Sequence, residues 1–233
     1  MHNVIGIILL FLVGSAQADV ISTISDWDGS SSVAPFGEAE TATYGQTFSL
    51  STTANMNSFT FYLNDALDPE VIDFQAYVFS WDDSLNKIAG SSLFASSAMS
   101  TTNNGGADGF EEFAINTGGI TLSAGQYVAF FTASNLFDGD SGTGKMGFTN
   151  ADAYTGGNLV YMNNGSDFAA LSSSSWSEWA DESDLAFTVT TTAVPIPAAV
   201  WLMFSALAVL GWRGRNSAAS TAGVEDTEKP AAA

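Results

Sequence analysis

Ser58-Phe59-Thr60-Phe61-Tyr62-Leu63 is the clearest guide to the fold. Large apolar residues recur at every second position, and Thr60 and Tyr62 fall between them. Successive side chains of a β-strand point to opposite faces, so this period of two predicts a strand with one buried face.

Further strands of the same kind follow along the chain. Period-two alternation recurs at residues 74–78, 110–115 and 185–189, and shorter candidates lie at 46–50, 146–149 and 159–162. Residues 127–132 are apolar on both faces, which predicts a central strand. Turns rich in Gly and Asn, among them residues 103–106, 117–119 and 163–165, separate the runs. We therefore predict an all-β domain over residues 19–189, an antiparallel β-sandwich of jelly-roll or immunoglobulin-like type.

Composition excludes several classes of function. Acidic residues outnumber basic ones 25 to 5, and the formal net charge is -20. Such a surface repels phosphate backbones, so we expect no nucleic-acid partner. The chain has no cysteine, and its single histidine is His2. A disulfide, a thiolate site and a histidine-based catalytic triad are therefore excluded from the body of the protein.

The N-terminus predicts a signal peptide over residues 1–18. Residues 4–13 are almost wholly apolar, and Ala16-Gln17-Ala18 has the small-x-small pattern of a signal-peptidase site. Cleavage after Ala18 leaves Asp19 as the first residue. The alternative is an N-terminal membrane anchor, but the apolar run is shorter than the roughly 18 residues that a spanning helix needs.

The C-terminus predicts a membrane segment behind a proline motif. Val194-Pro195-Ile196-Pro197-Ala198 is followed by an apolar run up to Trp212, and Arg213 and Arg215 come next. Each proline disfavours helix in the residue before it, so a helix begins near Ala198 and extends over about 198–212. The two arginines would hold its end in the cytoplasm. Residues 216–233, rich in Ala, Ser, Thr and Glu, are predicted to be a disordered tail.

This order of motif, short apolar helix and basic cluster, over residues 190–215, resembles the PEP-CTERM class of sorting signals, and residues 194–198 resemble its VPLPA-CTERM variant. The resemblance implies an exported protein of a Gram-negative bacterium that waits in the inner membrane as a precursor. An exosortase-type membrane protease would then process it for the cell surface or extracellular matrix, often alongside exopolysaccharide. The alternative is a plain C-terminal membrane anchor.

The body also resembles a recurring domain of PEP-CTERM proteins. The matching segments are residues 45–48, 58–63, 76–82, 124–130, 156–165 and 184–188. What this resemblance implies is a β-sandwich exported with such tails, and it brings no catalytic residues.

Two carboxylates could offer oxygen ligands to calcium. Asp138 and Asp140 lie in the loop Asp-Gly-Asp-Ser-Gly, but an EF-hand loop needs a bidentate Glu at its twelfth position, which here is Thr149. The alternative is an ordinary Asp/Gly turn.

Three aromatic residues are candidates for glycan contact. Tyr161, Trp176 and Trp179 lie in surroundings rich in Gly, Asn and Ser, and exposed aromatic rings can stack on sugars. The alternative, which the aromatic content favours, is that they pack in the core.

Paired carboxylates such as Glu111-Glu112 carry no motif that singles out an acid, and adjacent strand residues point to opposite faces, so we expect no enzyme. Two functional classes remain: a structural or adhesive component of the exopolysaccharide or biofilm layer, and a carbohydrate-binding module.

Overall fold

The computed structural model describes residues 17–38, 41–65, 70–179 and 183–194, together with residue 203. Within these ranges the body forms one compact unit that ends at Val194. Its strands in chain order are β1 (Ala18–Ser22), β2 (Ser32–Gly37), β3 (Thr43–Leu50), β4 (Ala54–Asn64), β5 (Asp73–Asp82), β6 (Lys87–Ala95), β7 (Met99–Ser100), β8 (Glu111–Leu122), β9 (Gly125–Thr132), β10 (Thr143–Thr149), β11 (Leu159–Met162), β12 (Ser177–Glu178), β13 (Asp184–Leu185) and β14 (Phe187–Ala193). Within the described parts of the body, helical structure is limited to α1 (Ala170–Ser173) and two 3₁₀ turns, Ile24–Asp26 and Asn103–Gly106.

The strands form two antiparallel sheets. Sheet one contains β1, β2, β4, β8, β10, β13 and β14, and sheet two contains the other seven strands. In sheet one, β4 lies between β14 and β8, so that Phe59 pairs with Val189 on one side and Ile115 on the other. In sheet two, β9 lies between β3 and β5, which confirms the central strand predicted from residues 127–132.

The main core lies between the sheets. Phe61 of β4 contacts Phe131 of β9 edge to face, with ring centroids 5.0 Å apart. Phe59, Phe74 and Phe187 are fully buried in the same cluster. Burying apolar rings from both sheets is the driving force for a sandwich, and the predicted all-β fold is confirmed at this level.

A second apolar cluster covers the outer face of sheet two. Alternation turns Tyr77, Phe79 and Val128 away from the main core, and the segment containing α1 folds over them. Leu171 and Trp176 from that segment are buried there. Sheet two is therefore apolar on both faces, whereas sheet one has an apolar face only toward the core.

Two local predictions are wrong. Residues 117–119, predicted as a turn, lie inside β8, where the φ angles of +72° at Gly118 and +76° at Gly119 form an irregularity opposite Asn57. Residues 190–193, predicted to belong to the sorting region, are the last part of β14. The run of threonines resembles a linker in sequence, but the backbone of these residues pairs with β1 on one side and β4 on the other.

Candidate functional site

The predicted signal cleavage point falls in an edge strand. Ala18 and Asp19 begin β1, where they pair with Thr192 and Thr191 of β14. The amide of Ala193 donates to the carbonyl of Gln17 over 3.3 Å. The two ends of the body therefore leave sheet one side by side. Ala16 lies outside the described residues, and cleavage after Ala18 stays a prediction.

The sorting motif begins where β14 ends. Val194 follows Ala193 directly and is 39% exposed. The rest of the motif, Pro195, Ile196, Pro197 and Ala198, lies outside the described residues, as do Arg213, Arg215, most of the predicted helix over 198–212 and the tail over 216–233. Among the described residues, no helix has the length and apolar character needed to cross a membrane.

The three candidate glycan contacts do not form an exposed surface. Trp176 is only 3% exposed, its indole N–H donates to the carbonyl of Leu171 over 2.9 Å, and its ring contacts Trp81 and Phe130. The core-packing alternative is therefore correct for Trp176. It lies in the apolar cluster on sheet two, because the long loop before it folds back over that face.

Tyr161 and Trp179 lie together at another place. Their ring centroids are 5.5 Å apart, and both rings contact Tyr44, which is buried in the main core. Both are partly buried against that core. The structure thus brings two of the three predicted residues into contact and separates them from Trp176.

The predicted calcium loop gains a third carboxylate. One oxygen from each of Glu70, Asp138 and Asp140 lies within 4.8 Å of the others. The Glu38 carboxylate also accepts the amides of Asp138 and Gly139, at 3.2 and 2.9 Å. Oxygen ligands suit a hard cation such as calcium. Hydrogen bonds within the loop equally fit the Asp/Gly turn, so calcium stays a prediction. Glu70 is far from the loop in sequence, and no motif there indicates it.

A buried carboxylate that carries no sequence motif ties the two sheets together. Asp184 of β13 is 0% exposed, and it accepts hydrogen bonds from the side-chain amide of Gln46 and from the backbone amides of Ala153 and Tyr154, at 2.7, 2.9 and 2.8 Å. The Gln46 carbonyl accepts in turn from the amide of Leu185. Burial raises the pKa of Asp184 to about 6, although these hydrogen bonds act in the opposite direction.

Glu111, considered as part of an acidic pair, also has a structural role. Its carboxylate accepts the backbone amides of Thr102 and Asn104 and the hydroxyl of Thr102. It thereby holds the 3₁₀ turn Asn103–Gly106, while Glu112 points to the opposite face of sheet one.

Comparison with known proteins does not identify the chain. No family model matches it, no curated protein matches it, and no match names a PEP-CTERM or VPLPA-CTERM domain. Among solved structures, the VP2 subviral particle of infectious bursal disease virus aligns at 15% identity with a TM-score of 0.26. That alignment covers 86% of this chain and 50% of the VP2 chain, so this chain spans about half the length of VP2. A likeness this weak carries no argument about fold or function.

Proposed function

We propose that this chain is an exported protein of a Gram-negative cell surface or extracellular matrix, sorted through residues 194–198 by an exosortase-type protease. The observation that carries the proposal is the order of features in the sequence: a small-x-small site at Ala18, a β-sandwich, Val-Pro-Ile-Pro-Ala, an apolar run and two arginines. Signal peptidase would act at the first site. The sandwich would be structural or adhesive in the exopolysaccharide layer, with either a jelly-roll or an immunoglobulin-like topology.

The geometry of the body supports a folded domain that is followed by a separate sorting segment. Val194 is partly exposed and follows the last residue of β14, so the motif begins directly where the folded body ends. Pro195 and Pro197 disfavour helix at residues 194–196, ahead of the helix predicted from Ala198. An extended backbone offers a protease the unpaired amides and carbonyls that a helix would hide. The apolar run would meanwhile retain the precursor in the inner membrane.

Changing Pro195 and Pro197 to Ala tests the motif in a host with an exosortase-type protease. We expect the double variant to accumulate as a full-length precursor in the membrane fraction, at least tenfold above the parent chain. Pro230→Ala, in the predicted tail, is the matched control and should be processed normally. The readout is the precursor-to-mature ratio in each cell fraction. A double variant that is processed like the parent would show that the segment is a linker to a plain anchor.

The second candidate is a carbohydrate-binding module on the cell surface. Of the residues first predicted for it, Trp176 is buried and Tyr161 and Trp179 are partly buried, but the outward positions of β1, β4 and β14 in sheet one carry no charged side chain. Carbohydrate binding therefore remains a candidate function, with its candidate site on the outer face of sheet one.

A further inference from the structure

The outer face of sheet one is lined by hydroxyl groups. Phe59, Phe61 and Val189 of β4 and β14 point into the core. Alternation therefore turns their neighbours outward. We call the partly or fully exposed hydroxyl residues among them the hydroxyl face: Ser22, Ser58, Thr188, Thr190 and Thr192. Thr60 lies on the same side but is only 9% exposed, so it is not part of this face.

Strand register arranges these hydroxyls in rows. Ser22 of β1 and Thr188 of β14 are partners in one row, which continues to the buried Thr60 of β4. The next row contains Ser58, Thr190 and the exposed Val20 of β1. Neighbouring strands lie about 4.8 Å apart, and rows lie about 6.7 Å apart along a strand. The hydroxyls of Ser22 and Thr188 are 3.0 Å from each other. The face is a regular, shallow array of groups that both donate and accept hydrogen bonds.

Three aromatic rings border this array. Trp27 lies over sheet one with its ring centroid 5.0 Å from Tyr62 and 5.0 Å from Phe110. All three side chains are partly exposed. The indole N–H of Trp27 donates to the carbonyl of Ser31 over 2.8 Å, which fixes the ring. Gly147 beneath it has no room for a Cβ, which would lie 2.7 Å from the ring. Rings held in this way beside hydroxyls suit stacking against the apolar face of a sugar.

The charge of the chain favours an uncharged ligand. The formal net charge is -20, so the molecule as a whole repels polyanions. Glu112 is the one charged side chain among the outward positions of β1, β4, β8 and β14, all of which are described, and it lies next to Tyr62 at the aromatic border. Asp28 lies in the turn after Trp27, where hydrogen bonds led by the backbone of Ser31 hold its pKa below the usual range.

The two sheets differ in what covers them. The outer face of sheet two is apolar and is covered by the segment containing α1, so it belongs to the protein's own core. Among the outward positions of β1, β4, β8 and β14, the large apolar side chains are Val20 and Tyr62, whereas the fully buried centre of a protein interface is mostly apolar. Its composition therefore fits a polar, uncharged polymer better than a second protein.

We propose that the hydroxyl face, with Trp27, Tyr62 and Phe110 at its border, binds an extended strand of uncharged polysaccharide. The rings stack on sugar faces, and the Ser and Thr hydroxyls exchange hydrogen bonds with sugar hydroxyls. The inference relies on the proposed function only for the setting in which the body meets polysaccharide, and binding itself is measured with purified protein.

Affinity electrophoresis of the full-length chain in detergent tests this surface. Native gels contain mixed-linkage β-glucan, galactomannan or dextran, each uncharged, or alginate as the acidic comparison. We expect retardation by at least one uncharged polysaccharide and none by alginate. Thr190→Glu, at the centre of the face, should raise the dissociation constant at least tenfold. Ser91→Glu adds the same charge at an exposed position of β6 in sheet two and should bind like the parent chain.

A second variant distinguishes a loss of binding at the hydroxyl face from a loss of folding stability. Ser58→Ala combined with Thr190→Val removes two hydroxyls without adding charge or much volume, and we expect binding to weaken about threefold or more with an unchanged near-ultraviolet circular dichroism spectrum. Retardation by none of the three uncharged polysaccharides overturns the proposal. Retardation that both variants leave unchanged overturns it too, as does a dimer that Thr190→Glu dissociates without altering retardation. None of these results bears on processing of residues 194–198, which the proline variants test separately.

Discussion

Asp184 shows how much one residue can contribute to the pH dependence of this fold. Its carboxyl group is fully buried between the sheets and hydrogen-bonded to Gln46, Ala153 and Tyr154. Burial raises its pKa from 3.8 to about 6. Between those two values the folded chain binds a proton that the unfolded chain has released.

The free energy of unfolding should therefore fall as pH rises. The contribution of Asp184 is fully present below about pH 4 and is lost as pH increases through about 6. A shift of about two pH units corresponds to about 3 kcal/mol. Chemical denaturation of the parent chain and of Asp184→Asn at pH 4 and pH 7 measures this contribution. The difference between the two free energies of unfolding at each pH cancels the contributions of the other acidic residues, which both chains share. We expect the stability advantage of the parent over the variant to shrink by up to about 3 kcal/mol. An advantage that stays constant or grows with pH contradicts this assignment.

Asp184→Asn should also destabilise the fold at low pH. An Asn side-chain amide offers donors where Asp184 accepts from Gln46, and Gln46 is itself held by the amide of Leu185. Leaving one buried donor unsatisfied costs about 1–3 kcal/mol. The sequence places Asp184 only in a strand-like segment, because a contact between residues so far apart has no local signature.

At the scale of elements, the strands could be predicted well from sequence and their ends less well. Period-two alternation identifies β4 and β5, because each strand buries one face against the other sheet. The sequence at the bulge in β8 predicts a turn, because a turn and a bulge both use residues with positive φ, which Gly118 and Gly119 supply here. Edge strand β1 is mostly exposed and carries little apolar pattern, so only its pairing with β14 reveals it.

Trp176 shows what sequence predicts for the candidate site. The aromatic content favours core packing over glycan contact, and the structure buries the residue over sheet two with Trp81 and Phe130. The hydroxyl face, by contrast, combines residues of β1, β4 and β14, three strands separated in sequence, and no single segment displays it.

Trp176→Ala should therefore act on stability and not on binding. Truncating a buried Trp leaves a cavity that costs about 3–5 kcal/mol. Trp179→Ala, at a partly buried ring, is the comparison and should cost less. Chemical denaturation gives the two stabilities, and gel retardation by uncharged polysaccharide gives binding. A Trp176→Ala variant that keeps its stability and loses binding would contradict core packing and favour the glycan-contact alternative at this residue.

At the scale of the whole molecule, the two ends of the body share one place in the fold. β1 and β14 are neighbours, and Ala18 pairs with Thr192. Cleavage after Ala18 would leave Asp19 beside Thr191, near the strand end that continues into Val194. The body would then be held from one end of sheet one, and the hydroxyl face, on that sheet, would extend away from the attachment point.

Mass spectrometry of both termini, after fractionation of a producing cell, tests export and sorting most directly. We expect the surface or matrix fraction to contain a chain that begins at Asp19 and ends within or near residues 194–198. We expect the membrane fraction to hold a precursor that begins at Asp19 and extends past Arg215. A surface form that retains Met1, or one that retains residues 198–215, would contradict the proposed export and sorting.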